Sequence, residues 1–135
     1  MIRSLDTNVF VDLIRRRQAT VRRRYDEAVL ADAALVTSLV VYHELQFGIA
    51  ASHDPTAAAL KMGEALRDVV VEPLTEDDVI VAARVRAALK RQGQPIGPYD
   101  VLIAGQALAR GWTLVTSNVR EFERVEGLTV ENWAA

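Results

Sequence analysis

Apolar residues in this chain fall into short runs that alternate with longer stretches of helical period. Ile2 to Leu5 reads as a first strand. Asp6-Thr7-Asn8 follows with cap-forming side chains, and Val9, Phe10 and Leu13 give the apolar stripe of a first helix. Val21 to Ala31 reads as a second helix, and Ala34 to Thr37 as a short buried strand. Ser38 can cap a third helix, Leu39 to Ala51; Thr56 to Leu66 is a fourth, and Val69 to Val71 a strand. Thr75-Glu76-Asp77-Asp78 opens a helix in capping style, with acids in its first turn, that runs to about Leu89. Pro98 stands in the first turn of the next helix, which stops at Arg110-Gly111. Thr113 to Thr116 is a strand, Val119 to Glu123 a helical turn, and Leu128 to Val130 the last strand. Alternation of this kind predicts an α/β fold, a three-layer α/β/α sandwich around a central, mostly parallel sheet.

Composition narrows the chemistry. The 135 residues suit a single domain over 1–135, half hydrophobic and one quarter charged. Cysteine is absent, which excludes disulfides and thiolate metal sites. A metal would be held by oxygen, or by His43 and His53. Met1 to Asp6 is too short and polar for a signal peptide. No apolar run approaches the ~18 residues of a membrane helix. A soluble, cytoplasmic protein is expected. The net charge of −2 conceals a run of Arg15, Arg16, Arg17, Arg22, Arg23 and Arg24, which reads either as a phosphate-facing patch or as a solvated helix face.

In an open parallel sheet, ligands bind beyond the carboxyl ends of the strands. Asp6 directly follows the first strand, and Glu44 lies about a turn and a half into the helix after the second. Ser117 and Asn118 follow the strand Thr113 to Thr116, with Glu121 a turn further on. The helix holding Asp100 turns tightly at Gly111 into that strand and so runs antiparallel to it. Its start, with Asp100, therefore lies at the same rim. Singly, Asp6 is a good N-cap, Asp100 a dipole-favoured first-turn acid and Glu44 a surface glutamate. Together they are acids in apolar surroundings, without a basic partner at helical spacing, which is costly. A hard divalent cation, Mg²⁺ or Mn²⁺, relieves the repulsion.

Four short segments carry a resemblance. Leu5-Asp6-Thr7-Asn8 resembles the opening of PIN-domain proteins, and Ser38 to Gly48 with Glu44-Leu45 resembles their second acidic motif. Ile96 to Ala104, containing Asp100, resembles the third; Leu114 to Asn118, followed by Arg120-Glu121-Phe122-Glu123-Arg124-Val125 and Gly127-Leu128, resembles the fourth. Their order and spacing are similar to those of VapC-type toxins along essentially the whole chain. The resemblance implies a PIN-like fold and an Mg²⁺-dependent (Mn²⁺ possible) endoribonuclease. It implies tRNA or another structured RNA as substrate, a VapB-type antitoxin that neutralises the toxin, and a homodimer. Asp6, Glu44 and Asp100 fall on the three main acids and would hold the metal. Asn118 stands where many PIN domains have aspartate, and Glu121 is the other candidate for the fourth contact.

Lesser candidates are Thr7 for orienting water or phosphate, and Arg84, Arg86 or Arg22 to Arg24 for the RNA backbone. Tyr99 and Trp112 could stack on a base. His43 and His53 are poor acid–base candidates, since His43 points about 100° from Glu44 on a helix. Two competing readings are an aspartate-nucleophile phosphatase-like enzyme and a non-catalytic PIN-fold binding module. The first needs an acid two residues after the nucleophile, where this chain has Asn8. No Gly-x-Ser-x-Gly or phosphate-binding glycine loop is present.

Overall fold

A computed structural model describes residues 1–135. Five strands, β1 (Ile2–Leu5), β2 (Ala34–Ser38), β3 (Val70–Glu72), β4 (Thr113–Val115) and β5 (Thr129–Glu131), form one sheet in the order β3-β2-β1-β4-β5. Every neighbouring pair is parallel, so the sheet is wholly rather than mostly parallel. Seven helices connect it: α1 (Thr7–Arg15), α2 (Ala19–Leu30), α3 (Leu39–Ala50), α4 (Pro55–Leu66), α5 (Glu76–Arg91), α6 (Pro98–Arg110) and α7 (Val119–Phe122).

From β1 the chain moves outward through β2 to β3, then crosses back to β4 and β5. Right-handed crossovers therefore put α1 to α4 on one face and α5 to α7 on the other. The packing agrees: α1 lies against α2, α3 and α4, while α5 lies against α6. These are the three layers of an α/β/α sandwich. Because the chain's direction of travel reverses between β1 and β4, their carboxyl ends flank the crevice where such sheets bind ligands.

Leu5, Phe10, Val41, Ile103, Leu114, Val115 and Phe122 are fully buried between the layers. Each large apolar side chain removed from water contributes roughly 1.5–3 kcal/mol. α5 and α6 meet at Gly105, where an added Cβ would lie 2.4 Å from the Ala82 Cβ. Only glycine permits that approach, and it fixes α6, the carrier of Asp100, against its neighbour.

Boundaries depart from the sequence pattern where backbone bonds decide them. α2 begins at Ala19, before the expected Val21, because the Gln18 carbonyl accepts from the Val21 (3.1 Å) and Arg22 (3.4 Å) amides, while Gln18 makes no side-chain cap bond to mark the start. β3 and β5 each begin one residue late. The amide of Val69 is tied to the Leu66 carbonyl and that of Leu128 to Val125, so neither joins the ladder. Arg24 is bound to Glu131 (3.0 Å), while Arg22 and Arg23 stay exposed with Asp26 (3.6 Å) and Glu27 (3.9 Å) one turn along the helix. One RNA-contact expectation is corrected. Trp112 is buried, with the Arg110 guanidinium 5.1 Å from its ring centre, and offers no face to a base. No helix is long and apolar enough to cross a membrane.

Candidate active site

β1 delivers Asp6 to the crevice. Its amide donates to the Val115 carbonyl (2.9 Å), extending the β1–β4 ladder by one residue. The side chain is 5 % exposed. Oδ1 accepts from the Thr7 amide (2.8 Å), so Asp6 does cap α1. Oδ2 accepts from the Thr116 hydroxyl (2.8 Å) and the Asn8 amide (3.2 Å). All three donors are neutral. Burial pushes the Asp6 carboxyl up, against the Thr7 and Thr116 hydrogen bonds and together with the charges of Glu44 and Glu121.

Two residues that hold Asp6, Thr116 and Asn8, are not among the site residues expected from the sequence. Thr116, just past β4, donates to Asp6 and accepts from the Asn8 side chain (3.1 Å) and the Asn118 amide (3.0 Å). Asn8 also accepts from the Ser117 amide (3.1 Å), clasping the end of β4 to the start of α1. A polar residue closing the buried apolar run Leu114-Val115 was the available signal.

α3 presents Glu44, half-buried, whose Oε1 accepts from the Thr7 hydroxyl (3.1 Å). Thr7 thus orients a carboxylate rather than standing free for water. α6 presents Asp100 in its first turn. Its carboxyl is pushed up to about 7, first by burial, then by the charges of Glu121 and Asp6, a hydrogen bond with Glu121, and the charge of Glu44. Glu121, on α7, accepts from the Gly97 amide (3.0 Å) through Oε1 and from the Asn118 side-chain amide through Oε2. Asn118 therefore supports Glu121, and Glu121 is the charged member that reaches the rim. A Cβ at Gly97 would sit 3.4 Å from Asp100 Oδ2, leaving little room on that side.

Asp6, Glu44, Asp100 and Glu121 thus act electrostatically on one another across one rim, and no ion pair in the molecule includes any of them. No three of these carboxylates already surround a common point at ligating distance. The donor set is all oxygen, with uncompensated negative charge and every fixing bond supplied by neutral groups. That chemistry fits a hard divalent ion that keeps several waters. Of the histidines, His43 lies on α3 with its ring edge-on to Tyr99, centroids 5.6 Å apart, and is exposed. His53 lines a groove between α1, α3 and α4 of about 1050 Å³, whose near end is Thr7 and Glu44.

The family described as PIN domain matches residues 4–128. The tRNA(fMet)-specific endonuclease VapC of Shigella flexneri is 36 % identical over 130 residues, covering 96 % of each chain. Among solved structures, VapBC2 from Rickettsia felis bound to a promoter DNA fragment superposes with a TM-score of 0.92, at 28 % identity, over 98 % of this chain and 99 % of that one. VapBC-1 from nontypeable Haemophilus influenzae gives 0.89 at 31 % identity over the full length of both.

Proposed function

The chain belongs to the PIN domain family, and from that premise we propose that it is an Mg²⁺-dependent endoribonuclease, the toxin half of a toxin–antitoxin pair. The observation that carries the metal-site reading is the rim itself: four interacting carboxylates without a cation, at the sheet's switch point. Mn²⁺ is an acceptable substitute for such oxygen donors.

Asp6, Glu44 and Asp100 would hold the ion, and its chemistry there would be to neutralise phosphate charge and lower the pKa of a water. The rest is positioning by this chain. Thr116 and Asn8 lock Asp6 in one orientation, and the Thr7 hydroxyl does the same for Glu44. Glu121 restrains Gly97 and with it the first turn of α6. In-line hydrolysis of the phosphodiester leaves a 5′-phosphate and a 3′-hydroxyl. The name of the Shigella relative supports tRNA as the substrate class.

The VapBC structures support a VapB-type antitoxin as partner. An apolar segment of it fits the groove lined by Val11, Ile14, Leu45, Ile49 and Met62, which ends at Glu44. Of the apolar side chains on α3 and α4, Val40, Val41, Leu45 and Met62 are core, while Phe47 and Leu60 remain exposed. A homodimer and a cytoplasmic setting complete the reading. The phosphatase-like alternative is not favoured, since the Asn8 amide is committed to Asp6 and Thr116 and cannot transfer a proton.

Purified protein should cut tRNA with Mg²⁺, and Asp6→Asn or Asp100→Asn should lower cutting by roughly 10²–10³-fold. Full activity in excess EDTA, or in either variant, would exclude the mechanism.

A further inference from the structure

On the flank of α6 away from the sheet crevice lies a second cleft of about 410 Å³. Leu89 and Val101 form a buried apolar floor; Arg86 and Lys90 of α5 make one rim, Pro95 and Pro98 the other. No acidic residue lines it. Arg86 and Lys90 are exposed, sit four residues apart on one helix face, and enter no ion pair.

The far wall is braced. Arg124 donates to the Pro95 carbonyl (3.3 Å), and Glu121 accepts from the Gly97 amide (3.0 Å). The segment 95–97 is therefore strapped at both ends, once by a residue of the acidic rim itself. Pro98 and Val101, which line the cleft, stand two residues before and one after Asp100, so cleft and carboxylate share the first turn of α6. A cavity of this size, with an apolar floor and a rim of unpaired cations, suits a ribose or base below and a phosphate above.

We propose that the Arg86–Lys90 cleft is a substrate subsite that binds the nucleotide and backbone phosphate next to the scissile bond of an RNA. This rests on the ribonuclease reading above and deepens it by placing the strand's path. It would be a binding site, with Arg86 and Lys90 positioning substrate rather than entering the chemistry.

The test is steady-state cleavage of tRNA in Mg²⁺ by wild type, by Arg86→Glu/Lys90→Glu, and by a control Arg67→Glu/Arg91→Glu that makes the same charge change on exposed residues outside the cleft. The cleft pair should raise KM about tenfold or more while changing kcat less than about threefold. It should also flatten the dependence of log(kcat/KM) on log salt by about 0.7–0.9 for each phosphate that is no longer neutralised. The control should change neither. A parallel arm measures binding of fluorescent tRNA by anisotropy in EDTA, where no cleavage occurs. Wild-type protein that cuts nothing overturns the nuclease reading alone. Unchanged KM, unchanged salt slope or unchanged EDTA affinity in the cleft pair overturns the subsite, as does an equal loss in the control.

Discussion

Two aspartates are buried in this molecule in opposite ways. Asp78, 1 % exposed, faces Arg110 across α5 and α6, with Oδ1 accepting from Nε and Oδ2 from Nη2, both at 2.9 Å. It also closes a capping box, accepting from the Thr75 amide (2.8 Å). Burial alone would raise its carboxyl, but the Arg110 and Thr75 hydrogen bonds hold it below the ordinary range. Asp6 is nearly as buried and has only neutral donors, with Glu44 and Glu121 adding negative charge. The fold can put a guanidinium beside a buried acid, and at the β1–β4 crevice none is supplied. That difference separates an acid used for stability from acids whose charge the fold leaves uncompensated. Sites that break a local rule of stability in this way are where function is expected.

The sharpest way to break the contrast is to neutralise one acid of each kind. Asp6→Asn or Asp100→Asn should lower RNA cleavage by roughly 10²–10³-fold, the scale of losing several kcal/mol of charge stabilisation. Asp100→Asn should not lower the urea midpoint in EDTA, because it removes like-charge repulsion, whereas Asp6→Asn also sets an amide donor against the Thr116 and Asn8 donors and should cost about 1–3 kcal/mol. Asp78→Ala should do the reverse: lose about 1–3 kcal/mol of stability with the charged hydrogen bonds to Arg110 and the capping box, with cleavage per folded molecule intact. If Asp78→Ala instead loses activity at unchanged stability, the two regions are not opposites.

How much of this was legible beforehand follows the same division. Asp6, Glu44 and Asp100 could be placed at one rim from topology alone, because a parallel sheet with short turns forces strand ends and helix starts together. The capping box at Thr75 was legible because its geometry is local. Asp78–Arg110 was not, since residues 32 apart reveal no bidentate pairing without the α5–α6 packing that Gly105 permits. Arg24 looked available because its partner, Glu131, is more than a hundred residues away, whereas Arg22–Asp26 and Arg23–Glu27 are i,i+4 pairs that the sequence already offers. Thr116 was hidden for a simpler cause: a threonine closing a β run looks like strand, and only the bonds to Asp6 and Asn8 reveal its task.

Thr116 supplies the next effect in size. Thr116→Val keeps the shape and removes the hydroxyl that fixes Asp6 Oδ2. Losing a residue that orients a metal ligand typically costs 10–100-fold in metal affinity or activity, and that range is expected for cleavage here. The Mg²⁺ concentration for half-maximal rate should rise with it, and raising Mg²⁺ should recover part of the loss. A purely structural threonine would lower stability and leave the Mg²⁺ dependence unmoved.

The smallest effect is a slope, and it has opposite signs in the two regions. The Asp100 carboxyl, raised to about 7 from an ordinary 3.8, keeps a proton in the folded state that the unfolded chain releases. Metal-free stability should therefore fall as pH climbs from about 4 to 7, since there the folded state binds more protons. Asp78, held below 3.8, contributes stability that is present above that pH and lost as pH drops further. Urea midpoints in EDTA from pH 3 to 8 should thus pass through a maximum on the acid side of neutrality. Asp100→Asn should flatten only the upper limb, and Mg²⁺ should do likewise in wild type, because an ion bound by the ionised carboxylates stabilises the folded state by mass action. An upper limb that survives both changes would mean the rim's mutual repulsion is not what sets it.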